Sequence, residues 1–353
     1  MEGYESQTTT PTNNNNVDNE VLEFLAKSKA NIKVVGLGGS GCNTVSRLYA
    51  MGIKDVELIA MNTDAQSLLL TKAHKKIILG RKLCRGLGAG NNPTLGKEAA
   101  KESAEEIRKA IEDADLLFIT CGLGGGTGTG SIPVVSEIAK EMGILTVNVV
   151  TFPFTAEGLK RRKNAEKAFN EIMKISDTVI RIRNDKLLEL VPDLPVSQAF
   201  KYADEVLANT INGIVEIITK SSLVNVDFAD VKSILENGGL GVVGFAEIKE
   251  GPKEDRARLV LSQALDNPLL DVSIDGARKA LVNIIGDKSL TISEVETIID
   301  SVRSRLHQEA DLIYGAHHDE ESREGYLKVW LIITGIQEEK KESDLKTLGI
   351  EPL

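Results

Sequence analysis

The chain has 353 residues, enough for two domains with tails, and 42% of them are hydrophobic, ample for real cores. Basic residues number 42 against 52 acidic, a net charge of −10, without the basic cluster of a nucleic-acid binder. No apolar run approaches the about 18 residues that cross a bilayer, so neither nucleic acid nor direct membrane insertion is expected.

Residues 1–30 are expected to be a disordered extension. Thr8-Thr9-Thr10-Pro11-Thr12-Asn13-Asn14-Asn15-Asn16 is polar low-complexity sequence that cannot bury enough surface to order itself. Val21, Leu22, Phe24 and Leu25 suggest a short amphipathic helix at its end. The basic and apolar segments of a signal peptide are missing. Cys42, Cys84 and Cys121 form no C-x-x-C pair and read as small apolar filler in a reducing compartment. A cytoplasmic protein is expected.

From Ile32 to Ile182 apolar strands alternate with helical patterns. Strands are expected at Ile32–Val35, Glu57–Met61, Lys76–Ile78, Leu116–Thr120, Leu145–Thr151 and Thr178–Ile182. Helices are expected at Asn43–Met51, Leu95–Ile111, Ile132–Glu141 and Leu159–Ile175. Such alternation predicts an α/β domain, a parallel sheet with helices on both faces.

Ser197 to Thr219 then reads as one long helix with Ala199, Ala203, Val206, Leu207, Ile211, Ile214, Val215 and Ile218 as its buried stripe. It is too apolar for a surface connector and is expected to be a spine between two domains. Beyond it lie helix Phe228–Glu236, strand Gly241–Glu247, helix Glu254–Asp266, an apolar stretch Ala280–Ile285, helix Ser293–Ala310 and strand Leu327–Ile333. Their mixed order predicts a smaller α+β domain with one sheet face covered. His317 and His318, beside Asp319 and Glu320, offer a metal site as one reading, but a solvated loop between a helix and a strand is expected, since adjacent histidines point in different directions. The domains are then 31–195, the central helix 196–220 and 221–336, with a charged, mobile tail at 337–353.

Two of the strands run into glycine-rich loops. Ile32–Val35 leads to Gly36-Leu37-Gly38-Gly39-Ser40-Gly41-Cys42-Asn43, and Leu116–Ile119 leads to Gly122-Leu123-Gly124-Gly125-Gly126-Thr127-Gly128-Thr129-Gly130. Glycines let the backbone turn sharply and leave a row of bare N–H groups, which suits phosphate. Each loop precedes a helix, whose dipole adds to the attraction. Gly36, Gly38 and Gly41 fit G-x-G-x-x-G, with Asp64 about 20 residues on, so an oxidoreductase is one reading. Two phosphate loops in one α/β unit fit a single triphosphate better. Neither contains G-x-x-x-x-G-K-[ST], so the ordinary P-loop fails.

Five motifs in sequence carry a family likeness: Gly38-Gly39-Ser40-Gly41-Cys42-Asn43, Asn62-Thr63-Asp64-Ala65-Gln66, Gly86-Leu87-Gly88-Ala89-Gly90, Gly124-Gly125-Gly126-Thr127-Gly128-Thr129-Gly130 and Asn225-Val226-Asp227-Phe228-Ala229-Asp230-Val231. Over residues 30–336 the chain resembles FtsZ, the tubulin-like cell-division GTPase. The resemblance implies a tubulin-like fold, GTP and GDP binding, magnesium-dependent hydrolysis and head-to-tail self-assembly into a division ring at mid-cell, with membrane-anchor and division proteins as partners. The short tail ending Leu348-Gly349-Ile350-Glu351-Pro352-Leu353 departs from the bacterial tether-binding peptide, so an archaeal type is expected.

By that resemblance Gly39, Ser40, Gly41, Cys42 and Asn43, with Gly126, Thr127 and Gly128, hold the phosphates, and Ala89 and Gly90 approach the γ-phosphate. Glu157 and Arg161 match ribose and phosphate contacts. Asn184 and Asp204 match guanine contacts, and Phe200 can stack on the base. Residue by residue, plainer alternatives stand: a glycine turn at Ala89-Gly90, a charged helix start at Glu157, a core side chain at Phe200. Magnesium is expected on the GTP phosphates and water rather than on protein ligands.

Asp227 and Asp230, with Asn225 in the same loop, match the family's catalytic loop, which reaches the next subunit's nucleotide. At i and i+3 of a helix start the two aspartates also read as an N-cap and its support. One carboxylate can do both. A filament that binds nucleotide without hydrolysing it is the third alternative.

Overall fold

The computed structural model describes residues 30–190, 195–219, 224, 226–250, 255–319 and 322–336; the expected N-terminal helix and the tail lie outside them. Six parallel strands form the first half: β1 (Ile32–Leu37), β2 (Val56–Asn62), β3 (Lys75–Ile78), β4 (Leu116–Gly122), β5 (Leu145–Phe152) and β6 (Thr178–Arg183), in the order β3-β2-β1-β4-β5-β6. The inner strands β1, β2, β4 and β5 are buried almost throughout because helices cover both faces. Ile32, Val34, Leu58 and Phe118 face one core, with α1 (Gly38–Met51) and the long α8 (Val196–Thr219). Val35, Leu37, Ile59 and Ile119 face the other, against α4 (Ala104–Ile111), α5 (Thr127–Glu141) and α6 (Leu159–Ile172). Alternate residues thus go to opposite faces, as the pleat requires.

Two short helices, α2 (Ala65–Leu70) and α7 (Asn184–Leu190), escaped the periodicity argument because they span barely two turns. The expected helix Leu95–Ile111 is two: α3 (Pro93–Glu102) and α4, broken at Ser103. That residue leaves helical geometry, and its hydroxyl accepts the Gly80 N–H at 3.1 Å.

After α8 come α9 (Phe228–Leu235), β7 (Gly239–Ile248), α10 (Arg256–Leu265), β8 (Lys279–Gly286), α11 (Ile292–Arg303), β9 (Asp311–His318) and β10 (Leu327–Thr334). Their order is β7-β10-β8-β9, with β10 antiparallel to β7 and β8. The start of β7 pairs in parallel with β6, Thr178 opposite Gly239 and Ile180 opposite Gly241, so ten strands are continuous. Both faces of this second half are covered, not one: α10 and α11 bury Val282 and Leu331, while α8 buries Leu281 and Trp330. Gly213 allows that second contact, since a Cβ there would stand 3.3 Å from the Trp330 ring.

His317 and His318 end strand β9 instead of lying in a solvated loop, and His317 is buried. Half-exposed side chains and a glycine hid this edge strand. Among the described residues, no helix is long and apolar enough to cross a membrane.

Candidate nucleotide site

The two glycine loops follow β1 and β4, which are neighbours in the sheet although far apart in sequence. This is where the strand order reverses, and ligands of such sheets bind outside the C-terminal strand ends at that point. Gly36 and Gly41 serve packing: a Cβ on Gly41 would lie 2.4 Å from the Thr120 carbonyl oxygen, and one on Gly36 would lie 2.1 Å from that of Gly41. Gly38 turns the chain with φ +69 and touches the second loop, where a Cβ would stand 2.9 Å from the Gly128 nitrogen. The third loop closes on the second, since a Cβ on Gly126 would meet the Asn92 nitrogen at 2.8 Å and Ala89 at 3.0 Å. The Thr63 and Thr127 hydroxyls meet at 2.6 Å. Ala89 is buried in this junction.

Around the junction the backbone is left bare. A Cβ on Gly39, Gly90 or Gly125 would meet nothing within 4 Å. Helices α1 and α5 start without a capping side chain and without an acidic residue in the first turn. Asp64 caps α2, Asn92 caps α3 and Thr291 caps α11, whereas α6 and α10 start as bare as α1 and α5, so what sets α1 and α5 apart is that their N-termini meet at the same two loops. Two uncapped N-termini converging on open glycines leave N–H donors and the positive dipole ends aimed at one space, an arrangement suited to several anionic groups in a row. The cap on α2 also uses the carboxylate that the oxidoreductase reading needed, because Asp64 accepts the Gln66 and Ser67 N–H groups.

At the other end stand the expected base contacts. Asn184 follows β6 and is 5% exposed, and its side-chain oxygen has no hydrogen-bond partner among the described residues. A buried acceptor of this kind is costly unless a ligand donor satisfies it. Phe200 is not a core residue: it is 41% exposed on α8, with its ring edge-on to Phe154 at 5.1 Å. Asp204, one turn further on, accepts from the Ser40 hydroxyl at 2.8 Å and the Asn43 amide at 3.1 Å. Burial pushes its pKa up, partly offset by those two hydrogen bonds and by Arg47. Glu157 pairs with Arg161 and accepts the Phe154 N–H at 2.9 Å. Cys42 is buried under the first loop, so its backbone faces the site while its thiol packs inward, and burial pushes the thiol pKa up to about 11.

Asp227 and Asp230 are elsewhere. Val226 packs beside Gly315 of β9, the edge strand at the far end of the sheet, four places from β6 and so about 19 Å across it. Asp204 and the end of α8 at Thr219 are also about 22 Å apart along the helix. The two aspartates cap each other's backbone: Asp230 N–H donates to Asp227 at 2.8 Å and Asp227 N–H donates to Asp230 at 3.1 Å. Each carboxylate keeps free lone pairs, and Asp227 is exposed. Asn225 lies outside the described residues.

The chain matches the GTPase domain of the tubulin/FtsZ family over residues 31–192 and the C-terminal domain of the FtsZ family over residues 239–337. It belongs to the FtsZ family. Cell division protein FtsZ 1 of Methanocaldococcus jannaschii is 54% identical over 320 residues, 91% of this chain and 87% of that protein. FtsZ 1 of Thermococcus kodakarensis is 52% identical over 333 residues, 93% of this chain and 88% of its own length. A solved FtsZ dimer from M. jannaschii superposes with a TM-score of 0.85 at 54% identity, covering 91% of this chain and 92% of that one. The tubulin-like fold and the GTPase of an FtsZ-family member are thereby established. Two polar residues beside these FtsZ loops received no role from the sequence. Thr63 stood within a motif without a chemistry of its own, and Asp185 belongs to α7, which is too short for periodicity to reveal.

Proposed function

We propose that the chain is a GTP-hydrolysing protein that assembles head to tail, each subunit's Asp227 and Asp230 completing the nucleotide site of its neighbour. The observation that carries this is the separation of the two halves of the machinery to distant parts of one sheet. No rotamer change brings the aspartates to their own glycine loops, so a catalytic role for them requires a second copy. An unlike-face contact of that type propagates into an open filament unless it closes into a ring. Leu87, 85% exposed beside the third loop, and Leu159, 72% exposed at the start of α6, give the face around the loops an apolar surface to bury in such a contact.

In this reading the N–H groups of Gly39, Ser40, Gly41, Cys42 and Asn43, and those of Gly126, Thr127 and Gly128, cradle the phosphates. Ala89 and Gly90 stand at the γ end. Glu157 and Arg161 take the ribose side, Asn184 and Asp204 the guanine edge, and Phe200 stacks on the base. Magnesium, held by GTP phosphates and water, would neutralise charge developing on the phosphates. Asp227 and Asp230 of the incoming subunit orient and polarise the attacking water. The working units are 31–195, the helix 196–220 and 221–336, and the setting is the septal ring at mid-cell, with anchor and division proteins attaching to the filament. The M. jannaschii dimer supports self-association.

A hydrolysis series tests the reading. The GTP turnover per molecule is expected to be near zero at low protein concentration and to rise steeply once subunits associate. A turnover per molecule constant across the series would overturn it.

A further inference from the structure

The turn that follows β5 is held from a different element than the one it leads into. Thr155 opens a 3-10 turn, Thr155–Glu157, that ends on the residue assigned to the ribose side. Its backbone N–H donates to one carboxylate oxygen of Asp185 at 2.8 Å, and its hydroxyl donates to the other at 2.7 Å. Asp185 is the second residue of α7 and follows Asn184, the buried base-side residue. A single carboxylate therefore spans from the base-side helix to the ribose-side turn, with both oxygens engaged.

A second tether fixes the turn's other end, where Glu157 accepts the Phe154 N–H and pairs with Arg161. Phe154 in turn meets Phe200 edge-on. Gly158, with φ +94, then redirects the chain into α6. The turn's backbone otherwise faces solvent: Thr155 and Ala156 are exposed, so packing does not hold it. Two hydrogen bonds to an ionised carboxylate are the strong kind and have a fixed geometry.

We propose that Asp185 is a positioning residue that sets the ribose-side turn in register with the base-side helix, so that base and sugar are gripped as one unit. The proposal rests on the nucleotide-binding reading above. Without the clamp the turn keeps its own cap but loses its reference to Asn184, and Glu157 no longer stands at a fixed distance from the bound base. Misplacement of this kind affects the contacts the turn makes with the sugar while leaving the phosphate loops intact.

The test compares GTP with 2′,3′-dideoxy-GTP, which lacks the sugar hydroxyls, in the full chain. Affinities are measured by competition for the parent, Asp185→Ala, Asp185→Asn and Thr155→Val. The parent is expected to prefer GTP. In Asp185→Ala, GTP affinity should fall about tenfold or more while the dideoxy analogue changes little, so the preference collapses. Thr155→Val keeps the backbone donor and loses the hydroxyl, so its fall should be smaller, about three- to tenfold, as should that of Asp185→Asn. Unchanged GTP affinity, or equal losses for both ligands, overturns the proposal. If Asp185→Ala does not fold, Thr155→Val and Asp185→Asn decide by the same ratio. A parent chain that binds neither ligand refutes the nucleotide-binding reading itself, a result distinct from a parent that binds both and a variant that is indifferent.

Discussion

The hydroxyl of Ser40 on the first glycine loop donates to Asp204 on α8 at 2.8 Å, and Asn43 donates to the same carboxylate at 3.1 Å. The long helix is thus fastened to the phosphate loop by the residue expected to read guanine. An ionised carboxylate accepts from the N1–H and exocyclic amine of guanine, and adenine offers no such donor pair. Asp204→Ala is expected to bring ATP and GTP affinities within about tenfold of one another, because the discriminating polar contact is gone. Competition between the two nucleotides on parent and variant checks it.

Acid should act on the same contact. Burial raises the Asp204 pKa above its ordinary 3.8, so the residue takes up a proton at a higher pH than an exposed carboxylate does. The folded state then binds more protons than the unfolded chain in that window, and ionised Asp204 costs stability above it. In the proposed guanine contact Asp204 accepts two hydrogen bonds, which needs the ionised form. Guanine-nucleotide affinity should therefore weaken on acidification above pH about 4, and titration of Kd against pH reveals it.

The Arg256–Asp287 pair titrates with the opposite sign. Arg256 is fully buried, with Asp287 at 3.1 Å and Glu294 as its second partner. Burial raises the Asp287 pKa, but the Ser289 hydroxyl and N–H, the Gly325 N–H and Arg256 outweigh it and leave the group at about 2. A depressed carboxylate stabilises the fold above its unfolded value of 3.8, and that contribution disappears as pH falls toward about 2. Melting temperatures should drop between pH about 4 and 2, and Asp287→Asn should flatten that slope. Arg256→Ala should cost about 3–5 kcal/mol, since it strands two carboxylates in the core.

Two glycines two residues apart should fail in different ways. Gly41→Ala puts a methyl 2.4 Å from the Thr120 carbonyl and must push α1 off the sheet, a cost of about 1–3 kcal/mol or more. Gly39→Ala meets nothing within 4 Å and should leave stability within about 0.5 kcal/mol. Its methyl would project into the space proposed for phosphate, so GTP affinity should fall while melting stays constant. Parallel melting and binding curves distinguish the two.

Much of this was readable from the residues. The inner parallel strands announced themselves because strands covered on both faces are apolar at nearly every position, as in Leu116-Leu117-Phe118-Ile119. Strand β9 did not, because Asp311-Leu312-Ile313-Tyr314-Gly315-Ala316-His317-His318 is a half-buried edge with no alternation. The glycine loops were legible as anion sites, but their mutual contact through Gly38 and Gly128 depends on β1 lying beside β4, a tertiary fact. Asp227 and Asp230 show the limit most clearly. Their spacing predicted a cap, and the reciprocal cap is there. Their distance from the glycine loops could not be read from spacing, since it follows from the length of α8 and the place of β9.

That distance is what makes the central claim testable by mixing. Asp230→Asn keeps shape and hydrogen-bonding capacity at the helix start, so its own nucleotide pocket stays intact while its loop loses a charge. Asn43→Ala weakens its own pocket and keeps the loop. Each variant alone should hydrolyse GTP about 10² times more slowly than the parent. In an equal mixture about a quarter of head-to-tail junctions join a sound pocket to a sound loop, and the account predicts recovery of hydrolysis toward that fraction of the parent rate. Hydrolysis by Asp230→Asn alone at the parent rate, or a mixture no faster than the sum of its parts, would contradict it.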